Sequence, residues 1–116
     1  MSISVLADLF GSRASEAVLL HLHHHGETYG RAASKDFGVS LDSVQRQLDR
    51  FERTGVMVCR RQGRTLLYTW NPKSRISKRV QDLVAVAYEG LGIKAKESVF
   101  AERRQPRAKD KPVIRD

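Results

Sequence analysis

Residues 30–55 read GRAASKDFGVSLDSVQRQLDRFERTG, and residues 56–70 continue as VMVCRRQGRTLLYTW. The spacing predicts a short helix over 30–37, stopped by Gly38, and a longer one from Leu41 to about Thr54. Ser40 is a good N-cap for the second helix, and Asp42 sits favourably in its positive first turn. Val44, Leu48, Phe51 and Gly55 recur at i, i+4, i+7 and i+11, so the helix has one narrow apolar face and a polar remainder. Gly55 supplies the stop. Residues 56–61 and 65–70 then change to β-forming residues on either side of Gln62-Gly63-Arg64, which is a hairpin signal. Asn71-Pro72 closes the second strand.

Helical patterns flank this centre. Residues 3–10, ISVLADLF, place Ile3, Leu6 and Phe10 near helical spacing before Gly11-Ser12 interrupts. Residues 13–25, RASEAVLLHLHHH, form a helix capped by Ser12 and stopped by Gly26, with Ala17, Leu20 and His24 on one side and Val18 and Leu22 close by. After the hairpin, Ile76, Val80, Leu83, Ala87 and Leu91 make one stripe, with Val84 and Tyr88 beside it, and Gly90 and Gly92 end that helix. From residue 93 the composition becomes charged and aperiodic, with a frayed helical start expected at Lys94–Arg103. The expected fold is mainly α with a small β-hairpin: a winged helix-turn-helix in the order α-α-α-α-β-β-α over residues 1–92, followed by a basic, flexible tail over 93–116.

At 116 residues the chain has the length of one domain, and 41% apolar with 29% charged residues suits one modest core rather than disorder. The formal net charge of +8 favours nucleic acid or an anionic membrane as partner, but does not identify which. The one cysteine, Cys59, excludes an internal disulfide framework and is expected to pack as a small apolar residue. No signal peptide is read at the N-terminus, and no run approaches the ~20 apolar residues of a membrane span. The expectation is a soluble cytoplasmic protein, associated with the nucleoid and with no membrane partner.

Two helices joined by a tight turn, the second carrying a polar outer face, form the unit that puts a recognition helix into the DNA major groove. With Val44, Leu48 and Phe51 inward, Asp42, Ser43, Arg46, Asp49, Arg50 and Arg53 turn outward, and Gln45 and Gln47 lie on the flanks. Ser43, Gln45, Arg46 and Gln47, near the N-terminal end, are the expected base contacts, since arginine pairs bidentately with guanine and glutamine with adenine. Ser40, Arg50 and Arg53 are the expected phosphate contacts. Two roles fit Asp42: favouring the helix N-terminus, or accepting a hydrogen bond from cytosine. Arg60, Arg61, Gly63 and Arg64 form a basic hairpin tip suited to the phosphate backbone or the minor groove.

These pieces resemble the bacterial winged helix-turn-helix regulators, most closely the ArsR-type group. The resemblance rests on Gly38-Val39-Ser40, Ser43-Val44, Arg46 to Leu48, Arg50, Thr54-Gly55-Val56, Arg61, Gly63-Arg64 and Tyr68, with Leu9 to Arg13 similar to the segment that opens such domains. It covers roughly residues 5–90. It implies a homodimer that binds a two-half-site operator in double-stranded DNA, usually as a repressor, with the terminal helices at the dimer interface. Here those residues are Val5, Leu6, Leu9, Phe10, Val80, Leu83, Val84, Ala87, Tyr88 and Leu91. The two helices also carry more apolar surface than a body of about 90 residues covers alone.

No cofactor and no metal ligand set is expected. The cysteine pair familiar in metal-sensing members of the group is absent. His21, His23, His24 and His25 cluster, but carboxylates at matching spacing are missing, and histidine is favourable at a helix C-terminus in any case; a site completed by a second chain stays open. No catalytic motif is found, so an enzyme is not expected. The tail, with eight basic and four acidic residues, holds half of the chain's net charge of +8. It can add nonspecific DNA affinity, solubilise the chain, or order on a protein partner with Val99-Phe100 and Val113-Ile114 as apolar anchors. An antitoxin or adaptor that docks through its tail is the second function considered, and a metal-responsive sensor the third.

Overall fold

The computed structural model of the chain describes residues 5–100. The elements in chain order are α1 (Leu6–Phe10), α2 (Arg13–His25), α3 (Gly30–Phe37), α4 (Leu41–Arg53), β1 (Met57–Gln62), β2 (Thr65–Trp70), α5 (Arg75–Glu89) and α6 (Ile93–Phe100). The mainly helical winged-helix architecture expected from the sequence is present. Ile3 lies outside the described residues.

Three serines cap the long helices, Ser12 and Ser40 as read from the sequence and Ser74 in addition. Ser12, Ser40 and Ser74 each accept a hydrogen bond from the backbone N–H three residues on, which satisfies a donor the helix itself cannot pair. Gly38 ends α3 in the left-handed region at φ +67°, so the chain reverses there without the penalty a Cβ would add. The turn is held from α3: Ser34 receives the backbone N–H groups of Gly38 and Val39 at its carbonyl, and donates its hydroxyl to the Val39 carbonyl at 2.6 Å.

Helix α2 is the hub. Ala17, Val18, Leu19, Leu20 and Leu22 are buried, and the core continues through Ala33 and Phe37 of α3 and Val44, Leu48 and Phe51 of α4 to Met57, Tyr68 and Val84. The narrow apolar face of α4 is therefore the one read from the sequence. The hairpin is antiparallel, with Gln62 opposite Thr65 and Met57 opposite Trp70. Its turn is two residues, Gly63-Arg64, and Gly63 adopts φ +62°, the left-handed geometry that tight hairpin turns require. Thr28 adds a third short backbone rung: its N–H donates to the Tyr68 carbonyl at 3.0 Å and its carbonyl accepts from the Tyr68 N–H at 2.8 Å. This bridge fixes the wing to the α2–α3 connection.

Two expectations are corrected here. The packed body does not stop at residue 92. Helix α6 follows, and its Val99 and Phe100 are buried in the core, so the Val99-Phe100 anchor assigned to a partner is used inside the chain. The reason is proximity: Phe100 stacks on His24 at 3.8 Å and stands edge-on to Phe37 at 5.9 Å, filling the space at the end of α2. The second anchor, Val113-Ile114, and the rest of the tail from residue 101 lie outside the described residues.

The expected dimer residues also divide. Leu6 and Val84 are fully buried, and Leu91 is buried too, in the chain's own core. Phe10, Val80, Ala87 and Tyr88 are half-buried and pack against that core. Val5, Leu9 and Leu83 remain exposed. A single stripe drawn along α5 mixes two faces: Val80, Val84 and Tyr88 look inward, whereas Ile76, Leu83 and Val86, at i, i+7 and i+10, look outward. No helix among the described residues is long and apolar enough to cross a membrane.

Candidate nucleic-acid interface

Helix α4 presents its outer face as the line Asp42, Arg46, Asp49 and Arg53, all exposed. Ser40 caps it, and its hydroxyl also donates to the Ser43 hydroxyl at 2.8 Å. Arg46 Nη2 lies 3.0 Å from Asp42 Oδ2, one helical turn back, with both side chains about three-quarters exposed. The Asp42 carboxylate thus holds the arginine, while Ser40 does the capping.

The four expected base contacts occupy three settings. Arg46 is exposed on the outer face. Ser43 is half-buried beside Ser40. Gln45 turns sideways: its amide donates to the Tyr68 hydroxyl at 3.1 Å and to Asp49 Oδ1 at 3.2 Å. Gly30 makes room for it, since a Cβ there would stand 2.9 Å from Gln45 Oε1 and 3.2 Å from a Leu41 methyl. Gln47 turns to the opposite flank, where its Oε1 is enclosed without a hydrogen-bond partner among the described residues. The two glutamines flank the apolar face, so neighbouring elements reach them from either side.

Burial pushes the Tyr68 phenol up to about 12. The hydrogen bond from Gln45 opposes that rise, and the neighbouring Cys59 and Asp49 add to it. The phenol therefore stays neutral and accepts from Gln45, joining recognition helix to wing.

The expected phosphate contacts divide as well. Arg53 is exposed near the end of α4. Arg50 instead reaches back to α1: its Nη2 donates to the Phe10 carbonyl at 3.1 Å, and its guanidinium lies 5.1 Å from the Phe51 ring centre. It occupies the last turn, where α1 packs, and supplies a donor to a carbonyl that α1 cannot pair internally.

On the wing, Arg60 is held by Gln62 Oε1 at 2.7 Å and Glu27 Oε1 at 3.4 Å. Arg61 and Arg64 project from the tip, exposed and without an ion pair among the described residues. One feature is not visible in the sequence. The N-termini of α2 and α4 border a shallow cleft of about 330 Å³ lined by Ser12, Arg13, Ala14, Val39, Ser40, Ser43, Arg46 and Gln47. Arg13 enters it while donating to the Phe37 carbonyl at 3.0 Å. The Ser12-Arg13 pair reads locally as a helix start, and only the fold brings it beside Ser40.

No family model and no curated protein matches the chain. Solved structures of AbfR share its fold. Reduced AbfR bound to DNA superposes with a TM-score of 0.52 at 23% identity, over 85% of this chain and 73% of that one. Overoxidized AbfR bound to DNA gives 0.53 at 22% identity, over 85% and 74%. Disulfide-formed AbfR gives 0.53 at 19% identity, over 84% and 70%. At this identity the likeness establishes the winged-helix fold.

Proposed function

We propose that the chain is a transcriptional regulator that binds double-stranded DNA as a homodimer, with α4 in the major groove and the hairpin tip on the flanking backbone. The observation that carries the reading is the joint display of Arg46 on the open face of α4 and of Arg61 and Arg64 at the wing tip. An arginine on the outer face of a groove-sized helix can read guanine bidentately, and arginines at the tip contact phosphate or enter the minor groove. The cleft between the starts of α2 and α4 adds two positive helix ends where a phosphate oxygen would be accepted. That two of the similar structures are complexes of AbfR with DNA supports DNA binding by this fold. Repression at an operator is the role the resemblance to ArsR-type regulators favours. Such a regulator acts by binding, in the cytoplasm on the nucleoid, and not as an enzyme.

Binding of the full chain to DNA from upstream of its own operon, followed by fluorescence anisotropy across a salt series, tests this. Arg46→Ala is expected to weaken specific binding about 5- to 150-fold, from roughly 1–3 kcal/mol for a bidentate base contact. Arg64→Ala is expected to weaken specific and nonspecific DNA alike and to reduce the salt slope by about 1. Wild-type binding by the double variant sinks the assignment.

A further inference from the structure

His21, His25 and Asp36 each present one ligand atom, and the three atoms lie within 4.8 Å of one another. The carboxylate missing from the local sequence comes from the facing helix, α3. His21 Nε2 is 2.7 Å from Asp36 Oδ2, and both side chains are only 3% exposed. The other ring nitrogen, Nδ1, is 2.9 Å from the hydroxyl of fully buried Thr28. His25 follows one helical turn after His21, with ring centres 4.3 Å apart. Phe100 of α6 closes the group, its ring 6.5 Å from His21 and 5.7 Å from His25, and Phe37 stands 6.4 Å from His21.

We propose that His21, His25 and Asp36 bind a zinc-class divalent cation. Two imidazoles and a carboxylate are a donor set zinc takes up readily. A histidine pair spaced i, i+4 puts both rings on one side of a helix, as a shared ion needs. Thr28 supplies the supporting contact: with Nδ1–H donated to its hydroxyl, Nε2 is the nitrogen that faces the ion. The surrounding phenylalanines limit water at the site, which strengthens the attraction between ion and carboxylate.

In the metal-free chain the 2.7 Å contact is a hydrogen bond between the His21 ring and the Asp36 carboxylate. Zinc takes the place of the proton in that bond: one Zn²⁺ enters, one proton passes to solvent, and no electrons move. With bonds of about 2.0–2.2 Å in a tetrahedral arrangement, nitrogen and oxygen would stand roughly 3.3–3.6 Å apart. His25 is half-buried, its ring beside that of His21. The site lies away from the α4 outer face, and it stands whether or not the DNA-binding reading does.

The test uses the full chain, stripped with a chelator and titrated with Zn²⁺ by calorimetry, with Co²⁺ as a spectroscopic probe of ligand geometry. About one ion per chain is expected, with tetrahedral-type cobalt absorption and a higher melting temperature in zinc. His25→Ala and Asp36→Asn should each weaken binding by at least roughly 10-fold, and His23→Ala should leave it unchanged, because that ring packs on Tyr88 instead. Circular dichroism without metal checks that each variant folds. Half-buried His25 can be truncated without opening the core, so His25→Ala decides the matter even if Asp36→Asn unfolds. Absence of a stoichiometric ion, wild-type affinity in His25→Ala, or an equal loss in His23→Ala overturns the proposal.

Discussion

The side-chain amide of Gln45, on the recognition helix, donates to the hydroxyl of Tyr68, on the second wing strand, across 3.1 Å. The backbone of Tyr68 is in turn bridged to Thr28. Helix, wing and the α2–α3 connection thus meet at one aromatic residue. Tyr68→Phe keeps the packing and removes the acceptor. Chemical denaturation should show a loss of about 1 kcal/mol, the usual net contribution of such a bond, and DNA affinity should fall because helix and wing are no longer held in register. The wild type should also lose stability at high pH. The folded chain keeps the Tyr68 proton to about 12, whereas the unfolded phenol releases it near 10. Proton loss therefore favours unfolding as pH rises from 10 toward 12, and the contribution is intact below 10. Melting temperatures across that range should fall less steeply in Tyr68→Phe; equal slopes would remove Tyr68 as the cause.

Arg50 and Arg53 sit in the same turn of α4, yet they should respond oppositely to removal. Arg50→Ala breaks the bond to the Phe10 carbonyl and should cost roughly 1–2 kcal/mol of stability, since its partner is a neutral group and the donor is charged. DNA affinity of the folded fraction should change little. Arg53→Ala should leave stability within about 0.5 kcal/mol and weaken DNA binding mainly at low salt. Paired denaturation and anisotropy measurements separate the two; a reversed pattern would mean that Arg50 leaves Phe10 to reach the backbone.

Self-association should depend on the outward line of α5. Val86 is 68% exposed, Ile76 64% and Leu83 39%, which is large apolar exposure for one helix of a small domain. Val86→Asp is expected to convert a dimer to a monomer in sedimentation at micromolar concentration, while Val84→Ala should destabilise the fold itself by a cavity cost of about 1–3 kcal/mol. A dimer that persists in Val86→Asp and Leu83→Asp places the interface elsewhere.

The centre of the fold was legible because its signals are local. Ser40 as a cap, Gly38 as a stop and Val44–Leu48–Phe51 as a face are consequences of helix geometry within one turn or two. The hairpin announced itself through the change of period. What escaped was set by distance in sequence. Nothing near Gln45 says that Tyr68, 23 residues on, will accept its amide. The terminal carbonyl of α1 claims Arg50 from 40 residues away. The charge of α6 read as a tail because Val99 and Phe100, which it buries, are neighbours in sequence and make no periodic stripe. The Asp36 carboxylate was missed by spacing, since it joins His21 from another helix.

The pairing of Asp42 with Arg46 has one more consequence. An arginine already seated on a carboxylate of its own helix gains less from guanine than a free one would, because it exchanges one partner for another. Facing a wrong base, it also loses less, since the carboxylate takes it back. On the proposed reading, in which Arg46 meets a base, Asp42 is a built-in competitor that lowers the ceiling on affinity at that base pair and shortens the time the helix stays on any one sequence.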